Sequence, residues 1–481
     1  LSALRSGTNS GKFRPLSPHA VKRMHTTVMR IIEEIGFEIH SAEGLEYFSR
    51  AGAWVDRDRK LVRVNSTLAM QIINRAPSSV KLRGRLKKHD VNLGAKRVHT
   101  GTGGTALYMY DAVSDERRNA TLDDLKNIAC LVEHLDNIHI FLLPTYPREL
   151  PVDRVDVNRF FTGLNHTSKH IMGGIYTLEG LRQVIKMAEI VAGSPEALRN
   201  NPIISMIACC ISPLKIDEHY GELMIEIARQ GIPLVCPAEP LCGTTSPVTL
   251  AGNLAVQVAD SLAGIMLAQL VNPGTPVIFG SVASTSDLID FKYLTGSVEM
   301  GLLNAAGAQM AQYYKLPFYS TGGMTDSKVL DAQCGYESAI TSMLCALAGA
   351  NFIHDSAGLM EFAMTACLEK YVIDNEILGM VMRAAKGIEV NDETIAFDII
   401  QASGPGGNFA TSSHTRRHMR REHYQPTLSD RTTREYWAGS GAKDIVARAS
   451  EKVSQILALK GYSLPARARE RIGEEITGIE V

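Results

Sequence analysis

The sequence predicts an α/β chain of the eight-stranded (β/α) or TIM barrel type, on three observations. Short β-rich runs ending in Gly, Pro or a polar residue alternate with longer segments of helical period. There are eight such runs, the closing number of a barrel. The chain has 481 residues, 45% of them hydrophobic, so it can bury a large core and is too long for one ordinary compact domain unless that domain is a barrel with additions.

From about Ser17 to Leu93 the pattern is mixed, with an amphipathic helix over Ala20 to Ile35 and small strand-like pieces ending in Lys87, Lys88 and His89. Residues 1–97 are therefore expected to form an N-terminal α/β cap, 98–403 the barrel and 404–481 a C-terminal helical extension. The predicted strands are Val98 to Gly103, Ile138 to Pro144, His170 to Gly174, Ile203 to Cys209, Pro233 to Ala238, Pro276 to Ser281, Leu316 to Thr321 and Ala350 to Asp355. Helices are expected at Thr121 to Leu135, Leu178 to Val191, Lys215 to Arg229, Leu250 to Leu270, Glu299 to Tyr314 and Asp331 to Leu347, several opening on a capping residue or an acid. The connection from Thr145 through Pro147, Pro151 and Phe160 to His170 shows its helix less clearly. Further helices follow at Thr365 to Ala384 and Asp392 to Ala402. The tail then turns basic around His414, Arg416, Arg417, His418, Arg420, Arg421 and His423, a composition that covers a surface or an oligomer contact more often than it binds an anion. A homo-oligomer is expected.

Composition excludes several classes. Lys and Arg total 50 against 51 Asp and Glu, leaving no net field for a polyanion or an acidic membrane, so neither nucleic acid nor membrane is an expected partner. The eight cysteines lie mostly in apolar runs and form no C-x-x-C pair, as reduced core thiols of a cytoplasmic protein do. No charged start followed by an apolar stretch opens the chain, and the apolar runs are broken before membrane-spanning length. No H-E-x-x-H, G-x-S-x-G or G-x-x-x-x-G-K-[ST] motif occurs. The turn Gly101-Thr102-Gly103-Gly104-Thr105 lacks dinucleotide spacing, since Ala106 stands where the third Gly belongs. Asn165-His166 and His170 have no partner set for a metal, and none is expected.

In a barrel, chemistry sits at the carboxyl ends of the strands. That rule selects Gly101 to Gly104 with Tyr108, then Tyr146, Met172 with Gly173 and Gly174, Glu239, Ser281 with Ser284, Tyr319 with Thr321, Gly322 and Gly323, and His354 with Asp355. Strand alternation sends His354 and Asp355 to opposite sides unless the strand has already ended, and Asp355 is as suited to capping the next helix. Glu239 is placed to counter a cation or to be a solvated loop acid. Asp331 reads as a helix cap, and Glu337, two turns further in, as either a packed helix residue or one pointing back at the strands.

Several segments, in order along the chain, resemble the trimethylamine methyltransferase family. They are Gly101 to Thr105 through Tyr110-Asp111, Arg117-Arg118, Thr121 to Leu125, Gly243 to Gly252, Leu267 to Leu270, Asn272-Pro273-Gly274 and Pro276 to Ser281. Asp331-Ala332-Gln333 to Tyr336-Glu337, Gly349 to His354 and Gly404-Pro405-Gly406-Gly407 complete the likeness. The resemblance implies a barrel mouth that receives a methylated amine and the corrinoid (cobalamin) of a separate small protein. Some members carry pyrrolysine near strand eight. Here Ile353-His354-Asp355-Ser356-Ala357 are ordinary residues, which points to the members acting on quaternary amines such as betaines. A substrate carboxylate would call for an Arg or a comparable donor, and Phe318 to Thr321 supplies only neutral groups.

Attack by cobalt(I) on a quaternary ammonium needs no general acid, so the protein's task is alignment and desolvation. Aromatic faces and carboxylates must hold the cation. The resemblance and the strand-end rule together give His354 and Asp355 as catalytic candidates, Tyr108, Tyr146, Glu239, Tyr319 and Glu337 for substrate, and Gly101, Gly103, Gly104, Gly173, Ser281, Gly322 and Gly323 for the cofactor. Two other readings fit the same residues: a non-catalytic binder of quaternary amines, and a barrel lyase using Glu239 and His354 as acid and base.

Overall fold

Runs that are apolar at nearly every position make strands buried on both faces, and such strands pair in parallel beneath covering helices. In the computed structural model, which describes residues 7–480, eight of them form the barrel. They are β1 (Arg97–Thr100), β2 (Ile140–Leu142), β3 (His170–Gly174), β4 (Ile204–Ile207), β5 (Leu234–Ala238), β6 (Val277–Ser281), β7 (Phe318–Thr321) and β8 (Phe352–His354). Chain neighbours are sheet neighbours from β2 to β8, and β8 returns to β1 with Phe352 opposite His99. A parallel bridge from Gly101 to Ile140 closes the ring, with the His139 amide donating to Thr100 O at 2.8 Å.

Each strand is followed by a helix: α1 (Leu122–Glu133), α2 (Val152–His166), α3 (Leu178–Ala192), α4 (Glu218–Gln230), α5 (Leu250–Val271), α6 (Val298–Tyr314), α7 (Ala332–Ala348) and α8 (Leu368–Lys386). Side chains fix most of the starts. Thr121 and Asp124 form a reciprocal capping box on α1, and Thr177, Asp217, Ser297 and Asp331 accept from first-turn amides of α3, α4, α6 and α7. Helix α2 is hard to read in sequence because Val155 through Asn165 are all buried, so no polar face marks its period. Helix α4 starts later than expected, because Lys215–Ile216 leaves as a strand before the Asp217 cap. The expected helix over Asp392 to Ala402 is broken in two, Asp392–Ile395 and Phe397–Ser403, at Ala396, whose φ is 54°.

The barrel interior is plugged from its amino end. The hairpin Ser79–Leu82 and Val91–Gly94 inserts Val80, Leu82, Val91 and Leu93 against Ile140, Leu142, Met172, Val235, Ile278, Tyr319 and Phe352. A cavity opens at the other end, which is where barrel sites form. The helices Pro18–Arg30, Ala42–Arg50 and Ser66–Ile73 pack on the flank of α4, α5 and α6, and a strand at Phe37–Ile39 pairs with Lys215–Ile216. At the C-terminus, a helix at Ile445–Leu457 packs on α8 and α1 and another at Ala466–Glu475 on α3. Helix α5 is the one helix among the described residues long and apolar enough to cross a membrane, and it is buried in the protein core.

Candidate active site

A cavity of about 230 Å³ opens at the carboxyl ends of the strands. Its wall carries Tyr176, Tyr220, Tyr293 and Tyr319, the imidazole of His354, and the carboxyl groups of Glu239 and Asp355, with Gly104, Thr105 and Cys209 among the smaller groups. Among the described residues, no Lys or Arg lines it. Larger surface clefts elsewhere, such as one of about 570 Å³ between α1, α2 and the C-terminal helix, gather no comparable set of acids and rings around one point.

His354 ends β8. Its ring stacks on Tyr319 at a centroid distance of 3.9 Å and 22° between planes. Nδ1 lies 2.7 Å from Ser320 O, and Nε2 lies 2.8 Å from Asp355 Oδ2. Both ring nitrogens thus face oxygens, an arrangement satisfied by an imidazolium beside a carboxylate or by an imidazole beside a carboxylic acid. Strand alternation should have turned Asp355 away. It does not, because the strand ends at His354 and Asp355 adopts a φ of 58°, a left-handed conformation that Asp tolerates better than most residues. The turn brings both side chains to the cavity, and Oδ1 of Asp355 accepts the Gly104 amide at 3.1 Å.

Gly103 makes this approach possible. A Cβ on Gly103 would lie 1.8 Å from Asp355 Oδ1 and 2.4 Å from Asp355 Cα.

Glu239 follows β5. The residue is exposed and lines the cavity. Desolvation and the nearby Asp355 charge push its pKa up to about 7. Burial, together with these same acids, also raises the Tyr293 and Tyr319 hydroxyls well above the ordinary phenol range. Cys209 is pushed up to about 12 by burial and Glu239, so it is a thiol rather than a thiolate nucleophile at neutral pH.

Of the residues selected from sequence, the structure brings His354, Asp355, Glu239, Tyr319 and Gly104 to this one cavity. Tyr146 stands behind it, edge-on to Tyr176 at 5.3 Å. Tyr108 is elsewhere: the Arg117 guanidinium covers its face at 3.6 Å, occupying the surface a substrate cation would need. Glu337 does not face the strands. Its carboxylate accepts from Thr325 Oγ1, the Asp326 amide and Gln333 Nε2, clamping the loop after β7. Gly101 packs on Phe352, Gly173 on Leu143 and Phe160, and Gly322 and Gly323 against Thr341 and Ser356, while Ser281 is fully buried, so these serve close packing around the mouth.

Tyr176, Tyr220 and Tyr293 escaped sequence reasoning. Tyr176 lies two residues past β3, Tyr220 in the first turn of α4, and Tyr293 in the long connection between β6 and α6. Only Tyr176 had a signal, its nearness to a strand end. Among the described residues, one group of three potential metal ligands comes together, Glu393, His414 and His418, on the C-terminal segment and apart from the cavity lining.

The chain is similar to known proteins over nearly its whole length. Residues 4–474 match the family model for trimethylamine methyltransferase (MTTB). The chain is 39% identical over 434 residues to trimethylamine methyltransferase MttB of Desulfitobacterium hafniense (strain DSM 10664 / DCB-2), covering 90% of this chain and 87% of that protein. It is 34% identical over 456 residues to glycine betaine methyltransferase of Desulfitobacterium hafniense (strain Y51), covering 95% and 94%. The crystal structure of Methanosarcina barkeri monomethylamine methyltransferase (MtmB) superposes with a TM-score of 0.51 over 94% of this chain and 90% of that one at 13% identity, a likeness of fold. The chain belongs to the trimethylamine methyltransferase family and is a methyltransferase.

Proposed function

We propose that the cavity holds a methylated, preferably quaternary, ammonium ion and presents one of its methyl groups to a corrinoid carried by a separate protein. The observation that carries this reading is the lining itself: four tyrosines, one imidazole and two carboxyl groups, with no Lys or Arg among the described residues that line it. A quaternary ammonium donates no N–H bond, so it is held by aromatic faces, each contributing about 0.5–2 kcal/mol, and by nearby negative charge.

The cavity, about 230 Å³, suits a small ammonium ion and is too small to enclose a macrocycle. A corrin would therefore lie over the mouth. The surrounding loops carry exposed apolar groups at Val248, Leu288, Ile289 and Phe291, a surface fitted to a partner that brings it. When bound there, a corrinoid supplies the cobalt(I) nucleophile that takes the methyl group. The protein's own residues bind and aim the cation. Glu239 and Asp355 neutralise it, Tyr319 and His354 form one stacked wall, and the dry lining strips its water. The amine that departs is neutral, so it loses the charge attraction that held it.

The net charge of −1 and the eight free cysteines, six of them buried, support a cytoplasmic protein that binds neither nucleic acid nor membrane. The helices Asp392–Ile395 and Phe397–Ser403 bury none of their side chains, and Ile388, Val390, Phe397 and Ile400 are exposed, which supports contact between copies of the chain there. Titration with tetramethylammonium tests the reading of the cavity: measurable heat in the wild-type chain and its loss in Glu239→Gln support it, and an unresponsive wild-type chain contradicts it.

A further inference from the structure

Residues 388–427 fold without a core. Not one of them is buried, yet they form the helices Asp392–Ile395, Phe397–Ser403 and Ser413–Glu422. A segment that buries no apolar side chain draws its order from other ties, and in small core-poor folds a metal ion is a common one. Contact between copies would cover Ile388, Val390, Phe397 and Ile400, but it does not account for the polar group that joins the first and last of these helices.

His414 and His418 stand one turn apart on one face of Ser413–Glu422, their ring centroids 4.3 Å apart with 30° between planes. Both turn Nε2 towards Glu393. The His418 nitrogen lies 2.9 Å from Glu393 Oε1, and the His414 nitrogen 3.1 Å from Glu393 O. Each side of the group is held by its own cap. Asn391 and Thr394 form a reciprocal capping box around Glu393, and Ser412 Oγ accepts the Thr415 amide at 3.0 Å. One ring nitrogen from each imidazole and one carboxylate oxygen lie within 4.8 Å of one another. An ion about 2 Å from each asks only for a small further closing, which the exposed Glu393 side chain can supply. Arg417 Nη2 competes for Glu393 Oε1 at 3.2 Å, but its side chain is 56% exposed and can swing into water.

We propose that Glu393, His414 and His418 bind one divalent transition-metal ion of the zinc class, with water completing its coordination, and that this ion ties Asp392–Ile395 to Ser413–Glu422. Two imidazoles and a carboxylate are donors that suit zinc, whereas magnesium and calcium favour sets made of oxygen alone. None of the three residues lines the cavity, so the ion's part is to fix the segment.

Isothermal titration of the chelator-treated full chain with zinc chloride tests this, with magnesium chloride as the control. The wild-type chain is expected to take up one zinc ion and to ignore magnesium at the same concentration. His414→Gln and His418→Gln should each weaken zinc at least about tenfold, since even an outer-shell partner is worth that much. Limited proteolysis reads the tie itself. Arg416, Arg417, Arg420 and Arg421 make the segment a trypsin target. Zinc at about ten times its dissociation constant should slow cleavage there about tenfold in the wild-type chain and leave the rate in His418→Gln unchanged. A wild-type chain that takes up no zinc, zinc uptake unaltered in both His variants, or uptake without any slowing of cleavage overturns the proposal.

Discussion

Nε2 of His354 and Oδ2 of Asp355, side chains of adjacent residues, meet at 2.8 Å at the end of β8. Neighbours in a continuing strand cannot do this, and here the left-handed turn at Asp355 allows it. The pair joins the stacked Tyr319–His354 wall to an acid that lines the cavity. Replacing His354 by Ala should leave the fold intact and reduce methyl transfer strongly. Asp355→Asn keeps a side chain suited to that backbone and removes the charge, with an expected loss of about 1.5–3 kcal/mol, or roughly 10- to 150-fold in kcat/KM. Circular dichroism beside steady-state rates checks both, and wild-type rates in either variant would defeat the assignment.

Gly103→Ala should disable the site by displacing Asp355 rather than by removing a side chain of the cavity wall. The added methyl meets the Asp355 backbone at 2.4 Å, which no rotamer change relieves. The expected cost is about 1–3 kcal/mol in stability, together with loss of ammonium affinity. Denaturant titration and ligand titration of the same preparation read the two effects. Unaltered affinity would mean that the contact between the first and last strand ends is not what positions Asp355.

Affinity for a cation should rise with pH. The Glu239 carboxyl, raised to about 7, is largely neutral at pH 6 and largely ionised at pH 8, so tetramethylammonium should bind more tightly at the higher pH. The stability linkage runs the other way. The folded state favours the protonated acid, so this contribution is fully present below the unfolded value near 4.5 and is lost as pH rises through about 7. Asp260, buried behind Ser212 and also raised to about 7, adds a stability change of the same sign but does not line the cavity. Glu239→Gln should therefore flatten the binding profile and keep part of the stability profile. A binding profile just as steep in Glu239→Gln would place the titrating group elsewhere.

Lys370 and Asp374, one turn apart on α8, form an ion pair that is almost completely buried. Lys370 also donates to Ser338 Oγ at 2.8 Å, and Asp374 accepts the Gly358 amide at 2.7 Å, fixing the loop that carries Asp355 away from β8. Lys370→Met strands a buried carboxylate and should cost about 3–5 kcal/mol in a denaturant titration. Lys370→Met combined with Asp374→Leu should recover part of that loss. Equal losses in the single and double variants would show that packing, not the unpaired charge, sets the cost.

The fold was largely legible because parallel strands buried on both faces read as short apolar runs, and His170–Gly174 matches its expected bounds at both ends. Helix α2 was obscured by the same burial that makes it central. In the site, His354, Asp355 and Glu239 stand at strand ends, where barrel geometry singles them out. Three of the four cavity tyrosines come from loops or a helix start, and a sequence does not say which loop residues fold back over a mouth. Tyr108 and Glu337 show the converse. Each has suitable chemistry, but Arg117 covers one and the loop after β7 consumes the other.

On the function proposed above, these strand ends cage a methylated cation and expose one methyl group to a corrinoid. The most direct measurement is the visible spectrum of cobalt(I) cobalamin incubated with the purified chain and a panel of methylated amines. Conversion to methylcobalamin with at least one quaternary amine, abolished in Glu239→Gln, is the predicted result. Cobalamin that stays unmethylated with every amine, while tetramethylammonium binds normally, would contradict it and leave a protein that only binds.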